Sequence, residues 1–262
     1  MKLNIVPAGT GIQWVKLGIK AFMKQPLALT ALFFMYMAVA SVLWLVPILG
    51  PLLGAAVVPA ATLGFMAATQ EAVNGNFPTP MVFLSAFRVG RARLKAMLVL
   101  GLMYAVLWIG ILLLVGTIVD LPASTGAPDA QNPPSPQYVG AMLLAFAMYT
   151  PVSLMFWHAP ALVHWHGVSP LKSLFFSTVA CLRNWKAMTL FGLAWLVLIV
   201  AFGMVISTVS MLTGRSQLSV GLAMPLALLI AAVFSTSLFF TFRDSFVSDE
   251  ATPDPLLTGE SP

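Results

Sequence analysis

Residues 169–193 read SPLKSLFFSTVACLRNWKAMTLFGL, and residues 79–102 read TPMVFLSAFRVGRARLKAMLVLGL. Both segments begin with Ser or Thr followed by Pro, and both pass through a basic stretch to Lys-Ala-Met and then Gly-Leu. Ser and Thr are favoured N-caps, and Pro suits the first helical position, so each segment predicts a helix start. The shared order indicates an internal repeat in which a short basic helix leads into a long apolar run.

Six apolar runs make up most of the chain, at approximately residues 27–46, 52–70, 97–119, 139–163, 188–213 and 219–241. Each approaches or exceeds the ~20 residues that an α-helix needs to cross a ~30 Å hydrocarbon core. The composition is 60% hydrophobic and 8% charged, whereas about 25% of the residues of an ordinary soluble domain are charged. The sequence therefore predicts an all-α polytopic membrane protein with six transmembrane helices.

The basic residues predict how these spans are oriented. All of the 13 Lys and Arg residues except Arg215 lie in segments that share one side of the membrane if each run crosses it once. By the positive-inside rule, the chain is predicted to be a multi-pass protein of the bacterial inner (plasma) membrane with both termini in the cytoplasm. Because the basic residues lie beside the spans, anionic membrane lipids are the expected partner, and nucleic acid is not.

Further landmarks extend the repeat over three units. Pro59 and Gly75 recur with the same separation as Pro151 and Gly167. Residues 1–246 are interpreted as one membrane domain with three parallel repeats at about 10–72, 79–165 and 169–242, called units 1, 2 and 3. Each unit is predicted to hold an interfacial helix followed by a hairpin of two spans. The linker from Asp120 to Gln137 is predicted to be a flexible periplasmic loop, and residues 247–262 a disordered acidic cytoplasmic tail.

Basic amphipathic helices are expected to lie at the headgroup boundary, with the apolar face toward the acyl chains and the basic face toward phosphate. In unit 3 the predicted apolar face is formed by Leu171, Leu174, Phe175, Thr178, Leu182 and Trp185, and in unit 2 by Phe83, Phe87, Gly90 and Leu94. The predicted headgroup-binding residues are Lys16, Lys20, Lys24, Arg88, Arg91, Arg93, Lys95, Lys172, Arg183 and Lys186.

The second span of every unit contains proline, at Pro59, at Pro151 and Pro160, and at Pro225. Proline inside a span frees a backbone carbonyl and predicts a helix kink. Kinks at equivalent places favour a central cavity, and hence a small transporter or channel. The alternative is that proline is simply common in membrane helices. An inverted repeat, which most directly gives alternating access, is missing from this pattern, and this argues against a transporter.

Ionisable residues near the spans are the remaining candidates for a polar intramembrane site. Glu71 ends the second span, and either binds a proton or a cation or pairs with a basic residue such as Arg88 or Lys95. His158, His164 and His166 lie toward the cytoplasmic end of the fourth span, at spacings that put their rings on different helix faces. A metal site would need ligands from other helices, and headgroup anchoring is the alternative.

Groups typical of an active site are missing from the sequence. It contains no nucleophile with a matched base, no phosphate-binding glycine loop and no zinc signature. We therefore expect no enzymatic activity and no cofactor. The single cysteine, Cys181, excludes an internal disulfide and is expected to be an ordinary small residue of an interfacial helix.

The central part of the chain resembles a family of uncharacterised bacterial six-span inner-membrane proteins. The residues that carry the resemblance are Phe156 to Val163, Gly167, Ser169-Pro170, Lys172 to Ser177 and Asn184 to Lys186. The likeness extends over about residues 3–245, and is distant to the membrane domain of some glycerophosphodiester phosphodiesterases, whose catalytic domain is missing. The resemblance implies a membrane location and helical architecture. It implies no activity. The threefold recurrence of a basic amphipathic helix beside a hairpin leads us to expect a non-enzymatic protein that engages anionic lipid or a membrane-protein partner. The prolines in alternate spans make a transporter or channel the alternative, and Glu71 with the three histidines makes an enzyme acting on lipid headgroups the third.

Overall fold

Uninterrupted apolar sequence folds into long helices in the computed structural model, which describes residues 2–85, 90–119, 135–214 and 216–247, with the backbone alone for 216–220. Among these residues, six helices are long and apolar enough to cross a membrane, with mean hydropathies between 1.8 and 2.7. The prediction of an all-α protein with six spans is confirmed. The predicted acidic tail from residue 248 onward and most of the predicted loop (120–134) lie outside the described residues.

The helices follow the order predicted from the repeats. In unit 1 they are α1 (Thr10–Lys24), α2 (Pro26–Trp44) and α3 (Gly50–Val73). Unit 2 has a 3₁₀ turn (Pro80–Leu84), α4 (Arg91–Ile118), α5 (Pro136–Phe156) and α6 (Ala159–His166). Unit 3 has α7 (Pro170–Arg183), α8 (Trp185–Thr213) and α9 (Ser216–Ser245). Two short strands, β1 (Lys2–Leu3) and β2 (Phe246–Val247), stand at the ends of the described chain.

Each interfacial element packs on the hairpin of the preceding unit. Helix α7 of unit 3 packs on α5 and α6 of unit 2, and the 3₁₀ turn of unit 2 packs on α3 of unit 1. Helix α1 of unit 1 packs on α8 and α9 of unit 3. The three units therefore form a closed cycle, and α3 packs on both α6 and α9.

The chain ends close this cycle. Strand β1 pairs antiparallel with β2, so that Lys2 lies opposite Val247 and Leu3 opposite Phe246. Both ends therefore lie on the same side of the bundle as α1 and α7, and we call this side the basic end. Trp14 of α1 is fully buried and donates from Nε1 to Asp244 Oδ2 of α9 at 2.8 Å. This contact ties the first interfacial helix to the last span.

The fourth span is broken between α5 and α6 because a side chain is inserted between two groups of its backbone that would otherwise hydrogen-bond to each other. The N–H of His158 donates to Ser177 Oγ at 2.9 Å, and this hydroxyl donates to the carbonyl oxygen of Leu154 at 2.7 Å. In a continuous helix the N–H of His158 would bond directly to the carbonyl of Leu154. Inserted side chains of this kind are a known cause of sharp bends, so Ser177 of α7 fixes the break.

The second interfacial element differs from the prediction. Gly90 has a φ of +100°, in the region that favours glycine, so a single helix cannot run from Phe83 to Leu94. Arg91 and Lys95 consequently belong to the first turns of the span α4. The prediction that Phe83, Gly90 and Leu94 share one continuous helix face is wrong, and Phe87, the fourth residue of that predicted face, lies outside the described residues. Phe83 instead packs inward on Phe65, with ring centroids 5.1 Å apart.

Candidate functional site

Helix α1 presents three faces at the basic end. Its inward face includes Trp14, Gly18 and Ala21, which are buried against unit 3. One exposed stripe is apolar and holds Ile12, Ile19 and Met23. The neighbouring exposed stripe is polar and holds Gln13, Lys16, Lys20 and Lys24. At about 100° per residue the polar stripe lies directly beside the apolar one.

Helix α7 repeats this arrangement in the same rotational order. Its inward face consists of small or polar residues, among them Ser173, Ser177 and Cys181. The exposed apolar stripe of α7 holds Leu171, Phe175 and Leu182, and the exposed basic stripe beside it holds Lys172 and Arg183. Trp185 and Lys186, both exposed, follow in the first turn of α8. Leu174, which was predicted on the lipid-facing side, is 2% exposed and packs inward.

Two basic residues lie near helix ends, which their position in the sequence did not suggest. Lys24 Nζ donates to the carbonyl oxygen of Val73 at the end of α3, at 3.1 Å. A cation at a helix C-terminus complements the helix dipole, so Lys24 stabilises the end of the second span of unit 1. In unit 2 the guanidinium of Arg93 lies near Gly167, which follows the end of α6.

The other predicted headgroup residues of unit 2 divide between two positions. Arg91 and Lys95 are exposed in the first turns of α4. Arg88 lies outside the described residues, and so does a pairing of Arg88 with Glu71. The described partner of Glu71 is Asn76, whose Nδ2 donates to Glu71 Oε2 at 2.9 Å. This local bond orients the carboxylate of Glu71, in the last turn of α3, toward the segment that follows the helix.

Two of the three histidines contact one aromatic residue of α9, and the third, His164, contacts Trp165. The rings of His158 and His166 each lie 6.0 Å from that of Phe242, and Trp165 stands beside it at 5.1 Å. His158 is fully buried, and neither of its ring nitrogens has a hydrogen-bond partner among the described residues. No group of three or more His, Cys, Asp or Glu within the described part of the chain is placed to hold a metal ion.

The prolines have different structural settings. Pro160 lies in the first turn of α6, directly after the break in the fourth span. Pro59, Pro151 and Pro225 lie inside continuous helices. Between α8 and α9 the described residues form an open groove of about 420 Å³, but its lining is apolar. This groove does not offer a path for a polar solute.

Asn184, between α7 and α8, is a central residue that its local sequence did not single out. It is 2% exposed, and its Oδ1 accepts from the Val6 N–H at 2.9 Å. Its Nδ2 donates to the carbonyl oxygen of Asn4 at 3.0 Å and to Ser245 Oγ at 3.4 Å. One amide thus joins the N-terminal segment, the start of α8 and the end of α9.

Cys181 is buried at the inward face of α7, with its Sγ 3.8 Å from the carbonyl oxygen of Leu154. Burial raises the pKa of its thiol to about 12, although a hydrogen bond with Ser177 opposes the rise. A thiol that stays protonated at neutral pH is a poor nucleophile and a poor metal ligand. Cys181 is therefore a packing residue.

Comparison with known proteins finds a relative that matches over nearly the whole chain. A probable inner membrane protein of Burkholderia thailandensis is 35% identical over 256 residues, which cover 94% of each of the two chains. No protein-family model matches the chain, and no solved structure matches it. The distant likeness to the membrane domain of glycerophosphodiester phosphodiesterases receives no support from these comparisons.

Proposed function

The chain belongs to the same family as the probable inner membrane protein of Burkholderia thailandensis, and from this premise we propose that it is a multi-pass inner-membrane protein that binds anionic lipid headgroups. Both termini are assigned to the cytoplasm, and no catalytic step is assigned. The observation that supports the proposal is the common order of inward, apolar and basic faces on α1 and α7.

The two exposed stripes match the layers of a membrane surface. The apolar stripe, for example Ile19 of α1 and Phe175 of α7, sits beside acyl chains, and the basic stripe lies at the phosphates. Neither residues 10–24 nor residues 170–186 contain an acidic residue, so nothing on these helices offsets the positive charge. Each Lys or Arg near an anionic surface contributes about 1 kcal/mol to binding.

Native mass spectrometry of the protein from nanodiscs tests this function. The discs contain phosphatidylethanolamine with a minor fraction of phosphatidylglycerol and cardiolipin. We expect anionic lipid to be enriched in the retained shell relative to the bulk. The double variants Lys16→Gln/Lys20→Gln and Lys172→Gln/Arg183→Gln should each weaken that retention by about 2 kcal/mol, or roughly 30-fold.

Charge-preserving variants distinguish a specific site for anionic lipid from nonspecific adsorption of lipid. Lys16→Arg/Lys20→Arg should retain anionic lipid like the wild type, and raising the salt should weaken retention because screening weakens exposed charges. Retained lipid with the same composition as the bulk would refute the proposal. Equal retention by the wild type and both glutamine variants would do so as well. A soluble or membrane protein recovered in place of lipid would instead favour a protein partner.

A further inference from the structure

The end of α9 lies beside the junction of α7 and α8. Ser245 Oγ accepts from Asn184 Nδ2 at 3.4 Å, although the two residues are 61 positions apart in the chain. Asn184 is buried, whereas Arg183 directly before it and Lys186 two positions after it are exposed. The chain that follows α9 therefore starts next to two exposed cations.

A third cation marks the point where the described chain ends. Strand β2 pairs antiparallel with β1, and this pairing sets Val247 opposite Lys2, with both residues exposed. We call Lys2, Arg183 and Lys186 the exit cluster, because the chain leaves the described fold beside them. Within the part of the chain that the structure describes, no carboxylate forms a salt bridge with any of these three cations.

The residues after Val247 are acidic. Residues 248–262, here called the acidic segment, hold four of the eight acidic residues of the chain and no Lys or Arg. The four are Asp249, Glu250, Asp254 and Glu260. Of the other four, two follow the opposite end of α4, and Glu71 and Asp244 already accept hydrogen bonds. The acidic segment thus leaves the fold at a place whose charge is opposite to its own.

The length of the chain keeps two of these carboxylates close to the exit cluster. An extended residue spans at most ~3.6 Å, so the Cα atoms of Asp249 and Glu250 lie within about 7 and 11 Å of that of Val247. The corresponding limits for Asp254 and Glu260 are about 25 and 47 Å. A short tether raises the effective concentration of the attached group, so ion pairs that are weak between separate molecules form readily here.

We propose that the acidic segment docks through Asp249 and Glu250 on the exit cluster, and that it competes there with the phosphate groups of anionic lipid. The inference rests on the proposed function, because Arg183 and Lys186 belong to the predicted headgroup-binding residues. The segment is an autoinhibitory contact. At a low content of anionic lipid it covers the end of α7, and at a high content the lipid displaces it, since both bind the same cations and anionic headgroups repel the segment.

Zero-length cross-linking in lipid-free micelles tests the docking by itself. A carbodiimide joins a carboxylate to a lysine amine when the two groups are in contact, and mass spectrometry of the digested protein identifies the pair. In an uncharged detergent we expect Asp249 or Glu250 to be joined to Lys186. The yield should fall about fivefold in ~1 M salt, where the Debye length is only ~3 Å.

Lipid retention tests the competition. In nanodiscs with a low fraction of phosphatidylglycerol, Asp249→Asn/Glu250→Gln should raise the retention of anionic lipid about fivefold, as expected for the loss of two exposed ion pairs. Asp254→Asn/Glu260→Gln is the matched control, because it removes the same charge from residues on a longer tether. We expect it to change the retention by less than about twofold.

A second background distinguishes docking from simple repulsion of lipid by the acidic segment. In Arg183→Gln/Lys186→Gln, the substitution of Asp249 and Glu250 should lose most of its effect on retention. Gel filtration and circular dichroism confirm that every variant is folded.

Three results would overturn the docking: no salt-sensitive cross-link to Lys186, equal effects of the near and far acidic pairs, or an undiminished effect in the Arg183→Gln/Lys186→Gln background. A salt-sensitive cross-link without enrichment of anionic lipid in any variant would support the docking and refute the lipid-binding function, so the two failures are distinguishable.

Discussion

Replacing Asn184 with alanine should break the hydrogen bonds that hold the N-terminal segment against the start of α8 and the end of α9. The substitution removes the acceptor of the Val6 N–H and the donor to the carbonyl of Asn4, bonds of 2.9 and 3.0 Å at a residue that is 2% exposed. A backbone group left unpaired in a buried place costs about 1–3 kcal/mol, and water at the basic end compensates part of it. We expect a loss of about 2–4 kcal/mol in the free energy of unfolding.

Two measurements check this value. Reversible unfolding in mixed micelles gives the free energy of unfolding directly. Hydrogen exchange at the Val6 amide reports how often its hydrogen bond to residue 184 opens. The exchange rate should rise more than tenfold, because a change of about 1.4 kcal/mol corresponds to a factor of ten in an equilibrium constant. Gln25→Ala is the control, since Gln25 holds the equivalent position in unit 1, is half-buried and should change stability by less than about 0.5 kcal/mol. Equal effects of the two substitutions would falsify the role assigned to Asn184.

Three further predictions concern the packing of the bundle. A Cβ on Gly101 would collide with the carbonyl oxygen of Ala56, whereas Gly192, its equivalent in unit 3, has open space. Gly101→Ala should therefore destabilise by about 1–3 kcal/mol, and Gly192→Ala should be neutral or stabilising by up to about 1 kcal/mol; similar melting temperatures for the pair would contradict the packing of α4 on α3. Ser177→Ala should cost about 1–2 kcal/mol by removing the hydroxyl between His158 and Leu154. Thr178→Ala, whose hydroxyl bonds only within α7 at Leu174, serves as its control in the same thermal unfolding assay. Finally, Cys181 should react with a maleimide at pH 8 only after unfolding. Because its pKa is raised from 9.0 to about 12, the unfolded thiol ionises first and stability should fall as the pH rises from 9 to 12; rapid labelling of the folded protein would disprove the burial.

The sequence by itself determined the number of spans and the grouping of the basic residues in the segments beside them. A span depends on the length and apolarity of one continuous segment, and both can be read without knowing any neighbour. The repeated Ser/Thr-Pro start likewise marked the start of α7 correctly, at Ser169-Pro170, since capping is local. In unit 2 the same signal, Thr79-Pro80, also marks a helical start, that of the 3₁₀ turn. The prediction of one helix from there to Leu94 was wrong because Gly90 has a positive φ.

Tertiary structure alone decided which residues of each interfacial helix are buried against the bundle. Helix α7 turns its small and polar residues inward because Ser177 enters the break of the fourth span, and this leaves Phe175 exposed. The hydrogen bonds of Asn184 likewise join residues from distant segments, since its amide bonds to Asn4 and to Ser245. The groove between α8 and α9 depends on two helices in the same way. Hydrogen bonds and cavities form between elements, so a pattern within one element does not reveal them.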